Sequence, residues 1–207
     1  MRILTVSDVV EPRLYYDFEP GRFEGIDLVF SCGDLPPEYL SFLVHTFKVP
    51  LYYIKGNHDI RYSEKPPEGC VDLHGRLVTF NGYKILGLEG SNWYNGGPYQ
   101  YYEHEMRTIL RRLRPKIWWR GGMDIVIAHA PPRYIHDAED PCHRGFESYL
   151  WLIHKYNPAY FVHGHIHRNF NRPSERITVV DSTRVINTYG YNILDIQDRA
   201  VGRKTPE

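Results

Sequence analysis

Short apolar runs alternate with stretches of helical periodicity along most of this chain. Arg2–Val6, Ile26–Ser31, Pro50–Ile54, Met123–Ala128 and Ala159–Val162 are rich in β-branched and aromatic residues and lack a polar alternation. That is the pattern of strands covered on both faces. Between them, Glu38–Lys48 places Leu40, Leu43, Val44 and Phe47 at helical spacing. Tyr102–Arg114 does the same with Met106, Ile109, Leu110 and Leu113 and stops before Pro115; Gly145–Tyr156 does so with Phe146, Tyr149, Leu150 and Ile153 and stops before Asn157-Pro158. Asn81-Gly82, between Leu77–Phe80 and Tyr83–Leu86, predicts a β-hairpin. Arg176–Gln197 reads as strands joined by short turns at Asp181-Ser182 and Tyr189-Gly190. A βαβ-like first half followed by antiparallel strands predicts an α/β sandwich with two mixed β-sheets. No repeat or linker divides the sequence, so residues 1–207 are read as one domain, with a frayed tail at Gly202–Glu207.

Composition narrows the classes. The 207 residues carry a formal net charge of zero, with no bulk drive toward nucleic acid or acidic membranes, so any phosphate recognition must be local. Cys32, Cys70 and Cys142 are too few and too scattered for a disulfide framework or zinc ribbon and read as free thiols in a reducing compartment. No apolar stretch approaches the roughly 20 residues of a membrane span, and a cytoplasmic protein is expected. The basic run Arg107, Arg111, Arg112, Arg114, Lys116 and Arg120 is read as a solvated helix face rather than a nucleic-acid patch. The 11 histidines are the unusual number, because histidine is the commonest metal-ligating side chain.

The residues that close the predicted strands give those histidines a context. The five runs end in Ser7-Asp8, in Cys32-Gly33-Asp34, in Lys55-Gly56-Asn57-His58-Asp59, in His129-Ala130-Pro131-Pro132 and in His163-Gly164-His165-Ile166-His167. Parallel neighbours would bring these ends to one edge, where α/β sheets bind their ligands. Glycines before Asp34, Asn57 and His165 would allow tight turns there. Carboxylates, an amide oxygen and imidazoles suit manganese, iron, zinc or magnesium better than copper(I) or an iron–sulfur cluster.

In that order, Gly-Asp, Gly-Asn-His-Asp, a lone His after a strand and Gly-His-x-His resemble the calcineurin-like metallophosphoesterases, from about Met1 to Asn187. The resemblance implies a four-layer αββα sandwich and hydrolysis of a phosphate mono- or diester by a metal-bridging hydroxide. It implies two divalent ions, manganese first, with iron, zinc, nickel or magnesium as alternatives. Asp34 matches the bridging carboxylate; Asn57, His129 and His165 match the other ligands of one metal; Asp8 and His167 match ligands of the other. His58 matches the residue that contacts the phosphate and can protonate the leaving oxygen, with Asp59 orienting its loop. The partner implied is a phosphate-ester substrate.

One position departs from the family pattern. Asp8-Val9-Val10 puts Val10 where a second ligating histidine is usual. Water could fill the gap; Glu11, His136 or His143 could reach in from a loop; or the first site could be weak. A scaffold of the same fold that only binds partners, and a nuclease of the same chemistry, are the competing functions.

Overall fold

Successive side chains of strand β1 (Arg2–Ser7) enter different apolar layers. Ile3 joins one buried cluster, while Leu4 and Val6 join another on the opposite face. The same division recurs in β2 (Leu28–Ser31), with Leu28 and Phe30 on one side and Val29 on the other. In β9 (Ile125–Ala128), Ile125 and Ile127 share the cluster of Ile3, whereas Val126 and Ala128 enter a third. Because side chains alternate along a strand, a continuous apolar run must have both faces covered. Three apolar layers therefore separate four layers of secondary structure.

The computed structural model describes residues 1–197; the tail Gly202–Glu207, expected to fray, lies outside them. The remaining strands are β3 (Leu51–Tyr53), β4 (Val71–Asp72), β5 (Leu77–Phe80), β6 (Tyr83–Leu88), β7 (Ser91–Asn92), β8 (Gln100–Tyr101), β10 (Tyr160–His163), β11 (Ile177–Val180), β12 (Thr183–Asn187) and β13 (Gly190–Asp195). One sheet runs β13-β1-β2-β3-β4 and the other β11-β12-β10-β9-β6-β5. Both are mixed, with antiparallel pairing of β13 to β1, β11 to β12 and β5 to β6 and parallel pairing elsewhere. Ile3, Phe30, Ile125, Ile127 and Val162 fill the space between the sheets. Helices α1 (Pro12–Tyr15) and α2 (Pro37–Phe47) supply the outer layer of the first sheet through Leu14, Tyr39, Leu40 and Leu43. Helices α3 (Glu103–Trp119) and α4 (Glu147–Tyr156) cover the second through Met106, Leu110, Tyr149 and Leu152. The αββα sandwich of two mixed sheets is thus present.

The predicted hairpin forms at Asn81-Gly82, whose φ values of 45° and 79° suit a two-residue turn of the hairpin type. One expectation is corrected. Helix α3 does not stop before Pro115 but continues to Trp119. Pro115 is exposed, so the carbonyl it leaves without an N–H partner faces solvent, and buried Ile117 holds the last turn against the core. The short connection expected at Tyr189-Gly190 is present and joins β12 of the second sheet to β13 of the first, so the chain crosses the sandwich there.

Candidate metal centre

Strand ends β1, β2, β3, β9 and β10 converge on one edge, and the backbone there is bent to turn polar side chains inward. Asp8, Asp34 and His165 have left-handed φ values of 65°, 57° and 66°. That region is uncommon for residues other than glycine, and Asp and His are among those that enter it more often than most. Of the three glycines expected to make tight turns, only Gly33 has positive φ, at 92°. Gly56 and Gly164 serve close approach instead. A methyl on Gly56 would collide with the Asp34 carboxylate and stand 2.6 Å from His129 Cε1; one on Gly164 would collide with Ser7 Oγ and stand 2.8 Å from Asp8 Oδ2.

Asp34, His129 and His165 each offer a ligand atom, all within 4.8 Å of one another. His129 is fully buried and donates from Nδ1 to the Cys32 carbonyl at 2.8 Å. Its Nε2 then faces Asn57 Oδ1 at 3.0 Å and Asp34 Oδ2 at 3.3 Å. Two oxygen acceptors and a ring nitrogen thus point at one another with no hydrogen between them unless the ring carries a second proton. Burial opposes that proton, but the Asp34 carboxylate outweighs burial and lifts His129 to about 9. Burial likewise opposes the charge on Asp34, yet His129 and the His58 N–H, 2.8 Å from Oδ1, hold this carboxyl well below the usual range. The donor set is one that a divalent cation fits, because only a proton or a metal ion relieves the clustering of lone pairs. His165 contributes from the other side. Its Nε2 donates to the Cys142 carbonyl at 2.7 Å, leaving Nδ1 as the nitrogen with a free lone pair, and burial followed by the charge on His129 lowers it to about 4.

Asp8 and His167 form an adjoining pair. The Asp8 side chain is completely buried, accepts the His165 N–H at 3.0 Å and lies 3.5 Å from His167 Nε2. Its hydrogen bond to His167 raises that imidazole from its ordinary value. His167 is half exposed and stacks on Tyr189 with ring centroids 4.9 Å apart. Val10 packs its side chain against the outer apolar cluster. Of the loop groups expected near this gap, Glu11 sits beside Gly190, and His136 is bonded to His163 and Thr178, each at 2.8 Å. His143 is hydrogen-bonded to Asp140, and its ring tilts against His165 at 5.4 Å.

Asn57 is buried and neighbouring His58 exposed, so the two side chains point opposite ways, as adjacency requires. His58, Asp34 and Arg61 line a shallow groove that opens to solvent. Asp59 does more than hold its own loop: its carboxylate accepts N–H groups from Asp34 and Gly56, both at 2.8 Å, and from Leu35 at 3.1 Å. It thereby fastens the loop after β2 to the loop after β3. Burial and the Asp34 charge push Asp59 up to about 7 despite these donors.

Two contacts were not foreseen. Tyr94, in the loop between β7 and β8, accepts a hydrogen bond from Asn57 Nδ2 at 3.0 Å. Cys142 contributes its carbonyl, not its thiol, to His165. Tyr94 is one of 17 tyrosines with nothing local to tie it to Asn57, and backbone acceptors leave no mark in a sequence.

A family model described as calcineurin-like phosphoesterase matches residues 1–169. No curated protein matches the chain in sequence. Among solved structures, TT1561 of Thermus thermophilus is similar, with 17% identity and a TM-score of 0.63 over 91% of this chain and 89% of that one. A dimetal phosphatase from Danio rerio is similar at 12% identity, with a TM-score of 0.56 over 93% of this chain and 91% of that one. Identities this low speak to the fold alone.

Proposed function

The chain belongs to the calcineurin-like phosphoesterase family, and on that premise we propose that it hydrolyses a phosphate mono- or diester with the help of two divalent ions. The convergence of His129 Nε2, Asn57 Oδ1 and Asp34 Oδ2 carries this reading. Asp34, Asn57, His129 and His165 would hold one ion, and Asp8, Asp34 and His167 the other, with manganese the first candidate. Divalent ions there would polarise phosphoryl oxygens and acidify water.

The chain's own groups take the remaining tasks. His58 stands exposed beside Asp34 on the open groove, where its imidazole can meet a phosphoryl oxygen and donate a proton to the leaving oxygen. Asp59 fixes the two loops that carry Asp34, Asn57 and His58. Tyr94 orients the Asn57 amide so that its oxygen faces inward. Val10 leaves the Asp8 and His167 side with one side-chain ligand fewer than the family pattern. No helix among the described residues is long and apolar enough to cross a membrane, and the free thiols support a cytoplasmic setting.

The test is hydrolysis of p-nitrophenyl phosphate and bis(p-nitrophenyl) phosphate by chelator-stripped protein resupplied with manganese, iron, nickel, zinc or magnesium. Turnover should depend on metal, and His58→Ala should slow it by about 100-fold or more. Absence of turnover with every metal overturns the hydrolase in favour of a partner-binding scaffold.

A further inference from the structure

A cavity of about 250 Å³ opens immediately beside the Asp8 and His167 pair. Val9, next to Asp8, and Tyr189, whose ring stacks on His167, form the wall it shares with that site. Arg168, Phe170, Arg176 and Glu11 also line it. Both guanidinium groups lie against Phe170, Arg176 at 4.5 Å and Arg168 at 5.8 Å from the ring centroid. Arg176 is half buried and anchored, donating from Nη1 to the carbonyls of Tyr189 at 2.8 Å and Asn187 at 3.3 Å. Those bonds use one nitrogen and leave other N–H groups for a ligand. Neither Arg168 nor Arg176 has a carboxylate within ion-pair distance among the described residues, although Arg133, Lys55 and Arg61 all do.

Charges decide what such a cavity would take. Glu11 is its single acid against two fixed cations, so the recess carries an excess of one positive charge. A half-buried guanidinium without a carboxylate partner is a costly arrangement that an incoming anion relieves. Carboxylates and phosphoryl groups both match the planar fork of arginine. The neighbouring metal-binding residues would hold only the reacting phosphoryl group of a substrate.

We propose that this cavity receives a second anionic group of the substrate, a carboxylate or a further phosphoryl, while the ester to be cleaved lies over Asp8, Asp34 and His58. The inference rests on the phosphoesterase reading and adds a substrate class to it: phosphate esters of hydroxy acids, or molecules with two phosphoryl groups, over esters of neutral alcohols. Arg168 and Arg176 would set that preference.

Binding of three non-hydrolysable phosphonates to manganese-loaded protein tests it by calorimetry: propylphosphonate, 3-phosphonopropionate and propane-1,3-diphosphonate. One or both of the doubly anionic compounds should bind at least tenfold more tightly than propylphosphonate, and the tighter of the two tells carboxylate from phosphoryl. Arg168→Gln and Arg176→Gln should each reduce the preference to threefold or less. Arg168 makes no side-chain hydrogen bond among the described residues, so its variant decides the matter if loss of the Arg176 anchor unfolds the turn. Equal binding of all three compounds, or a preference that persists in Arg168→Gln, overturns the cavity assignment and leaves the hydrolase standing. Failure of all three to bind overturns the phosphoesterase reading and this inference with it.

Discussion

Tyr94 accepts a 3.0 Å hydrogen bond from the Asn57 carboxamide, and this fixes which end of the amide faces His129. A ligand oriented by an outer hydrogen bond loses affinity when that bond goes. Tyr94→Phe should therefore weaken metal binding by about tenfold, measured by competition with a chromogenic chelator. An unchanged dissociation constant would show that Asn57 is held by other means.

Asp59 stabilises the site without lining the metal group. Its carboxylate satisfies three backbone N–H groups. Asp59→Ala strands these donors and should cost about 2–4 kcal/mol in urea unfolding of metal-free protein, since buried unsatisfied donors cost about 1–3 kcal/mol each and part of the loss is recovered by relaxation. A cost below 0.5 kcal/mol, on the order of a neutral surface change, would remove Asp59 from the role of fastening the two loops.

Gly56 and Gly164 tolerate no side chain. Gly56→Ala would press on Asp34 and His129, and Gly164→Ala on Ser7 and Asp8. Both should lose tight metal binding before they lose the fold, seen as at least 100-fold weaker manganese affinity with retained far-UV circular dichroism. Wild-type affinity in both would contradict the packing described.

His136 makes the loop after β9 acid-sensitive. Burial, then the charge of Arg168, lowers it to about 4, and as a neutral ring it bonds His163 and Thr178. The unfolded chain takes up this proton near the ordinary histidine value, before the folded one does. Its contribution is therefore present above about pH 6.5 and lost as pH falls toward about 4. His136→Gln should flatten the fall in stability of chelated protein over that window, measured by denaturant midpoints. An identical slope in both proteins would count against it.

Val10 predicts unequal metal affinities. Calorimetric titration with manganese should resolve one tight ion and a second at least tenfold weaker, and Val10→His should narrow the gap. Two tight ions in the wild type, unmoved by the substitution, would end the idea of a weak site.

Much of this was legible in the chain itself. The apolar runs mark the strands because both faces of each central strand are covered, and the residues that close them mark the edge where Asp34, Asn57, His129 and His165 meet. Strand ends are local, so a sequence carries them. The Tyr94 contact and the carbonyl of Cys142 depend on how distant loops fold over that edge, and no local pattern encodes either. Pro115 misled because local propensity ends a helix there, whereas burial of Ile117 two residues later extends it. The short connection at Tyr189-Gly190 was legible too, but not that it passes from one sheet to the other, because a turn and a crossing use the same residues.

The division of the site between the two sheets has a mechanical consequence. Asp8, Asp34 and Asn57 follow strands of the first sheet, and His129 and His165 follow strands of the second. An ion gripped by Asp34, Asn57, His129 and His165 together would act as a rivet through the mouth of the sandwich, with its binding energy added to the cohesion of the two halves: about 2.7 kcal/mol when the free ion stands at 100 times its dissociation constant. Stripping the ion would let that mouth gape first, while the opposite edge, laced by Ile3 and Leu28, stays shut. Amide exchange should then quicken at Ser7, Ser31 and Ala128 before it quickens at Ile3, Leu28 and Ile125.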